Sequence, residues 1–305
     1  MKKIILVSIL LSIPLLSFAQ SDTKQALNSL SEPKKSQEKE NTLEVPEWVK
    51  RTNVSIEAGT GMQPKYFLET IQPFFSTQNT NTVLFNQTRI SGQGGRTIYN
   101  SGLGLRTLLS QYLLGVNAFY DFQDMHQHHR AGLGFEAFSE QGLEARVNSY
   151  IRVSSPRVIR DDGVNEYIEK VANGADWELG MRAPYMPFLR IYGGGYWYNY
   201  EHFANKLGWK MRMEYNPIKY SRLVFTMLND NKRRGIDYRF EGAITLAFNT
   251  FSPKDILNDL KLSKEILPKV NLEEKKLERV VRDFDITVIT KTKNKAGLIV
   301  EGGKT

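Results

Sequence analysis

In several segments between residues 52 and 249 apolar and polar positions alternate with a period of two, and the charged residues keep to one of the two faces. In residues 143–152, Leu143, Ala145, Val147, Ser149 and Ile151 form one face and Glu144, Arg146, Asn148, Tyr150 and Arg152 the other. In 207–216, Leu207, Trp209, Met211, Met213 and Tyr215 oppose Gly208, Lys210, Arg212, Glu214 and Asn216. In 176–183, Trp177, Leu179, Met181 and Ala183 oppose Asp176, Glu178, Gly180 and Arg182. In 236–248, Ile236, Tyr238, Phe240, Ile244, Leu246 and Phe248 oppose Asp237, Arg239, Glu241 and Asn249. Successive side chains of a strand point to opposite sides, so each segment predicts a strand with one greasy and one charged face.

The same reading places strands near 53–60, 66–74, 82–91, 97–107, 112–121, 130–138, 143–152, 175–183, 188–199, 206–215, 220–228 and 236–248. Gaps after even strands are mostly short (139–142, 184–187, 216–219), and gaps after odd strands mostly longer, the largest at 153–174. Tyr112 and Tyr120 close one outward face, and Tyr215 and Tyr220 flank a turn, as aromatic girdles do. A soluble antiparallel sandwich also alternates. Girdles and alternating loop lengths favour an all-β, antiparallel transmembrane β-barrel of about 12 strands. The segments 66–74, 82–91 and 220–228 alternate poorly, so counts of 10 or 14 are the alternatives.

The flanks differ. Lys2 and Lys3, the apolar run 4–16 and Ser17-Phe18-Ala19 read as a secretory signal peptide over residues 1–19. Residues 20–51 are polar and unpatterned, a flexible periplasmic leader. In 250–305 charge returns: Ser252 with Pro253 predicts a helix start, Pro268 its stop, and residues 285–290 alternate like a strand. The region reads as a linker that threads or plugs the lumen.

Outside the signal, no stretch is apolar for the length of a membrane helix, so a membrane crossing here requires a closed barrel. The chain has no cysteine, which removes disulfides and thiolate chemistry. Its formal charge of +8 is scattered along strands rather than clustered, which argues against a nucleic-acid partner.

On this reading Glu144, Arg146, Arg152, Glu178, Arg182, Lys210, Arg212, Glu214, Arg239 and Glu241 face the lumen. They either pair across it and fill it, or line an open channel in which Lys210, Arg212 and Arg239 tune ion selectivity. The expected partners are outer-membrane lipid, lipopolysaccharide at the basic run Lys232-Arg233-Arg234, and the barrel-assembly machinery. No cofactor, metal or catalytic residue is expected.

Several segments resemble the β-domain of inverse autotransporters, the intimin and invasin group. They are residues 68–76 (LETIQPFFS), 102–106 (GLGLR), 114–121 (LGVNAFYD), 129–137 (HRAGLGFEA), and Ala172-Asn173-Gly174-Ala175-Asp176 leading to Pro184-Tyr185-Met186-Pro187. The resemblance covers roughly residues 50–250. It implies a twelve-stranded barrel and a chain that turns back through the pore after the last strand, with residues 277–286 (LERVVRDFDI) as the post-barrel linker. The family's adhesive Ig-like passenger is not expected in the short stretch up to Thr305. The implied function is an outer-membrane translocator or anchor with little or no passenger on this chain. The alternative is a porin-like channel with a periplasmic C-terminal segment.

Other motifs carry less. His126, His128 and His129, with Asp121 and Asp124 nearby, read as a solvated outward loop rather than a metal site. No nucleophile motif accompanies them, so no hydrolase is expected. Gly193-Gly194-Gly195 lacks the strand-to-helix context of a phosphate loop and reads as a place where neighbouring backbone or a threaded tail packs closely.

Overall fold

The computed structural model describes residues 45–74, 80–201, 203–218, 220–246, 261–295 and 299–301. Its strands are β1 (Thr52–Gly59), β2 (Met62–Pro73), β3 (Thr82–Gln93), β4 (Arg96–Leu109), β5 (Tyr112–Gln123), β6 (His128–Ser139), β7 (Glu144–Arg152), β8 (Arg157–Asp161), β9 (Asn165–Val171), β10 (Asn173–Ala183), β11 (Met186–Asn199), β12 (Lys206–Ile218), β13 (Ser221–Asp230), β14 (Asp237–Thr245), β15 (Val288–Asn294) and β16 (Ile299–Glu301). Single helical turns stand at α1 (Glu47–Lys50) and α2 (Leu272–Lys275).

Twelve strands close in the order β1-β14-β13-β12-β11-β10-β7-β6-β5-β4-β3-β2, antiparallel throughout, and β1 seals the sheet by pairing with β14 from Asn53↔Thr245 to Gly59↔Arg239. Closure pairs every strand on both sides, which is what lets a sheet cross hydrocarbon. No described helix is long and apolar enough to span a membrane. Outward residues are large and apolar: Leu105, Leu114, Val116, Phe135, Val147, Leu179, Met213 and Phe240 are all exposed. Such a continuous greasy wall is stable facing acyl chains and unstable facing water. Tyr112 and Tyr120 are likewise exposed, the first at the start of β5 and the second near its end.

The inward face is built to leave the axis free. Gly102 faces Phe119, Gly104 faces Phe85, Gly180 faces Tyr192, Gly174 faces Tyr198 and Gly208 faces Tyr196 on the neighbouring strand. A Cβ at Gly180 would lie 1.9 Å from the Tyr192 ring, and one at Gly104 2.2 Å from the Phe85 ring. Each ring therefore lies flat over a glycine of the next strand, against the wall instead of across the pore.

Three expectations need correction. Residues 153–174 are not an irregular loop: β8 and β9 form a hairpin there, and β15 and β16 extend it to a four-stranded sheet ordered β16-β15-β9-β8. Strand β2 starts at Met62, before Pro64, because the β1–β2 register shifts between Glu57 and Gly59 and a bulge tolerates the missing proline N–H. The loops after β1 and β3 are tight turns between Gly59 and Met62 and between Gln93 and Arg96, so long loops follow odd strands mainly in the later half. The signal peptide, most of the leader and the helix start at Ser252 lie outside the described residues. Residues 261–267, the described part of that helix, are not helical.

Candidate functional site

The lumen is filled by side chains of the wall and by the chain that follows the barrel. On the wall, Arg146 bridges Glu144 (2.5 Å) and Glu178 (3.3 Å), and Arg212 bridges Glu178 (2.6 Å) and Glu214 (2.7 Å). Lys210 adds to the network at 3.5 Å from Asp176 and 3.8 Å from Glu178. Glu241 pairs with Arg222 at 2.8 Å, and Arg239 lies 3.6 Å from Glu57. Arg152 sits at the rim, 3.5 Å from Glu201. Arg182 is half-buried, packs its side chain against Gly142 and leaves Nε without a hydrogen-bond partner. Burying so many ions is tolerable because most of them, Arg182 excepted, have an oppositely charged partner within 4 Å; a lone one deep in the lumen would be strongly destabilising.

Alternation alone missed the centre of this network. Arg106, Asp121, Arg130 and Glu136 are all fully or nearly fully buried. Asp121 shares the lumen face with Asn117 and Phe119 and is held by Arg130 at 2.8 Å, so it does not belong with the histidines. The parity of residues 117, 119 and 121 carried that signal in the sequence. The residues that complete the network from the tail carried none, since nothing local says which wall position they meet.

The tail enters beside the β6–β7 turn, where Val270 N donates to Glu140 O (2.7 Å) and Leu272 of α2 packs with Leu113 and Phe138. It then runs, without helix or strand, among side chains from around the wall. Arg106 donates to the carbonyls of Lys275, Lys276 and Glu278. Gln87 both accepts from Val280 N (2.7 Å) and donates to Val280 O (3.3 Å). Asn148 donates to Val281 O, Asn100 to Phe284 O, and Arg130 to the carbonyls of Asp283 and Asp285. These wall donors satisfy backbone groups that a non-sheet segment would otherwise bury unpaired.

Charges lock the same path: Lys275 to Glu144 (2.6 Å), Glu278 to Arg190 (2.6 Å), Arg282 to Asp121 (2.8 Å) and Asp285 to Lys65 (2.6 Å). Val280 and Phe284 fill an apolar cluster with Ile71, Val83, Phe85 and Phe119. The tail emerges at the opposite end, where Ala172 N donates to Thr287 O (2.9 Å) and β15 pairs with β9 from Val288↔Val171 to Asn294↔Asn165. Ile289 packs there against Tyr150, Ala172, Tyr198 and Tyr200.

The histidines lie at that same end. His126 Nδ1 and His128 Nε2 both reach Oε2 of Glu169 on β9, at 2.7 and 3.0 Å. Contrary to a solvated loop, the His128 side chain is fully buried, because the β8–β9 hairpin folds over it. Burial pushes the Glu169 carboxyl up, and the two imidazole hydrogen bonds outweigh that and hold it below its ordinary value. His129 turns away, its Nδ1 2.9 Å from the Tyr120 hydroxyl. In the glycine triplet, Gly194 abuts the Trp177 carbonyl of the neighbouring strand β10, not the tail. Arg233 of the basic run pairs with Asp230 at 2.8 Å and with Asp237.

A family model described as "Inverse autotransporter, beta-domain" matches residues 15–288. The chain is similar to "Invasin" of Yersinia enterocolitica, 28% identical over 206 residues that make up 63% of this chain and 23% of that protein. It is similar to the "Putative attaching and effacing protein homolog" of Escherichia coli (strain K12), 31% identical over 142 residues, 46% of this chain and 45% of that one. The chain thus spans less than a quarter of that invasin and under half of the second relative. A solved structure described as "Unveiling the Mechanism Behind the in-meso Crystallization of Membrane Proteins" shares the fold, with a TM-score of 0.63 at 20% identity, over 79% of this chain and all of that one.

Proposed function

The chain belongs to the inverse autotransporter β-domain family, and on that premise we propose that this outer-membrane barrel acts as translocator and anchor, with residues 270–287 as the stretch held in its pore as plug and tether. The observation that carries the reading is the run of wall-to-tail bonds from Val270 to Thr287, which uses backbone and charged groups at both ends and in the middle of the lumen. A pore whose axis is taken by its own chain anchors that chain against being pulled back. The wall charges then serve to grip the tail and not to select a solute.

The role is mechanical, not catalytic: most of the lumen-facing acids and bases are engaged in ion pairs. In this reading the β8–β9 end faces the cell exterior, residues 1–19 direct export, residues 20–51 remain periplasmic, and the barrel-assembly machinery inserts the wall. Lipopolysaccharide borders the outer rim near Lys232 and Arg234.

Planar-bilayer recording tests the plug. The full chain should conduct little, and deletion of residues 270–287 should open a steady conductance. A large, steady conductance of the intact chain overturns the proposal. An epitope inserted at residues 162–163 tests the orientation. It should be labelled on intact cells, whereas one at residues 140–142 should not; the reverse pattern overturns that assignment.

A further inference from the structure

We propose that His126, His128 and Glu169 bind one divalent first-row cation, zinc before others, where the sheet β16-β15-β9-β8 meets the barrel. Among the described residues these three bring their ligand atoms within 4.8 Å of one another. Two imidazole nitrogens and one carboxylate oxygen are a donor set suited to zinc, with a fourth position left for water. Zinc bonds of about 2.0–2.1 Å put neighbouring tetrahedral ligand atoms roughly 3.3 Å apart. The observed separations of 2.7 and 3.0 Å from Glu169 Oε2 therefore need to open by a few tenths of an ångström, roughly, while the two imidazole nitrogens, within 4.8 Å of each other, settle to the same spacing.

The rings are aimed, not merely adjacent. His126 and Gln127 have φ of 62° and 49°, so two consecutive non-glycine residues sit in the left-handed region between β5 and β6. Asp124 fixes that turn by accepting from Met125 N (2.6 Å) and Thr97 N (2.8 Å). His128 Nδ1 has no hydrogen-bond partner, so the buried ring is oriented through Nε2 alone. His126 is 30% exposed, which leaves a path for an ion and room for a water ligand. Binding needs no net proton loss from neutral rings: each nitrogen facing Glu169 gives up its hydrogen and the other ring nitrogen takes one. Two neutral imidazoles, one carboxylate and a divalent cation sum to a single positive charge.

The site has a mechanical consequence independent of translocation. Glu169 lies in β9, opposite Thr290 of β15, so the ion would rivet the tail's sheet to the β5–β6 turn of the barrel.

Tag-free full-length protein, folded in detergent and checked by its heat-dependent shift on gels, is titrated with zinc chloride by calorimetry. One site per chain is expected. His128→Gln and Glu169→Gln should each weaken binding about tenfold or more, while His129→Gln should leave it unchanged. Absence of saturable binding in the wild type, or equal affinity in His128→Gln, overturns the proposal. Cobalt chloride added to the wild type gives a readout that needs no variant. A visible band of tetrahedral, nitrogen-ligated cobalt supports the site, and a spectrum of hydrated cobalt alone overturns it.

Discussion

Arg282 donates to both carboxylate oxygens of Asp121, at 2.8 and 2.9 Å, across 161 positions of sequence. Arg130 reaches the same carboxylate at 2.8 Å while donating to the tail carbonyls of Asp283 and Asp285. One buried carboxylate thus serves as counter-ion to a wall arginine and a tail arginine together. The consequence is asymmetric. Asp121→Asn leaves two buried guanidiniums without their shared counter-ion, whereas Arg282→Met leaves Arg130 still paired. We expect Asp121→Asn to cost about 3–5 kcal/mol and Arg282→Met clearly less, with the double variant losing less than the two combined. Urea unfolding of the barrel in lipid vesicles reads all three, and equal costs for the single variants would sink the shared-carboxylate account.

The seat of Arg282 also depends on a missing side chain. A Cβ at Gly132 would lie 2.5 Å from Arg282 Nη2 and 3.3 Å from the Ser149 carbonyl. Gly132→Val should therefore push the guanidinium off Asp121, raise conductance in planar bilayers and cost about 1–3 kcal/mol by overpacking. Gly193→Ala, with nothing within 4 Å of the added carbon, should change neither reading. A Gly132→Val barrel that stays closed and as stable as the wild type would show that the tail is not held there.

The barrel was legible because its physics is local. Period-two alternation in 143–152 and 207–216 reports which side of each strand meets lipid, and neighbours such as Leu133 to Ser149 and Phe135 to Val147 follow from it. The hairpin at β8 and β9 was less legible. Its turn, Asp161-Asp162-Gly163, is a clear signal, with Asp162 accepting from Val164 and Asn165 N–H groups. The strands beside it are short and polar, and the strand that completes the sheet, β15, lies more than a hundred positions downstream. The contact of the histidines with β9 was hidden for the same reason. Glu169 is 41 residues from His128, and no spacing rule connects them.

Lipid contact makes its own prediction. Phe135 is 60% exposed and stands in register between Val116 and Val147, in the middle of the greasy wall. Phe135→Arg places a charge near the bilayer midplane and should cost about 2–4 kcal/mol, measured by reversible urea unfolding into vesicles. The cost should shrink for Tyr120→Arg, because that position lies near the end of the outward face, with only Phe122 beyond it on β5, where headgroups and water can reach an arginine. Similar costs at the two positions would contradict the depth assigned to them.

The emerging tail offers the last test. Ile289 is 2% exposed and packs with Tyr150, Ala172, Tyr198 and Tyr200, so it joins β15 to the barrel mouth through apolar contact. Ile289→Ala should leave a cavity and weaken that docking by about 2–5 kcal/mol. Because β15 pairs with β9 by backbone bonds as well, the loss should spread to the hairpin and stop at the wall. Hydrogen exchange should then quicken in β9 and β15, while β4 and β5, paired over the whole of β5 from Ile98↔Gln123 to Leu109↔Tyr112, keep their protection. Uniform quickening would mean that the sheet and barrel open as one unit. Unchanged exchange in β9 would mean that its pairing with β15 holds without Ile289.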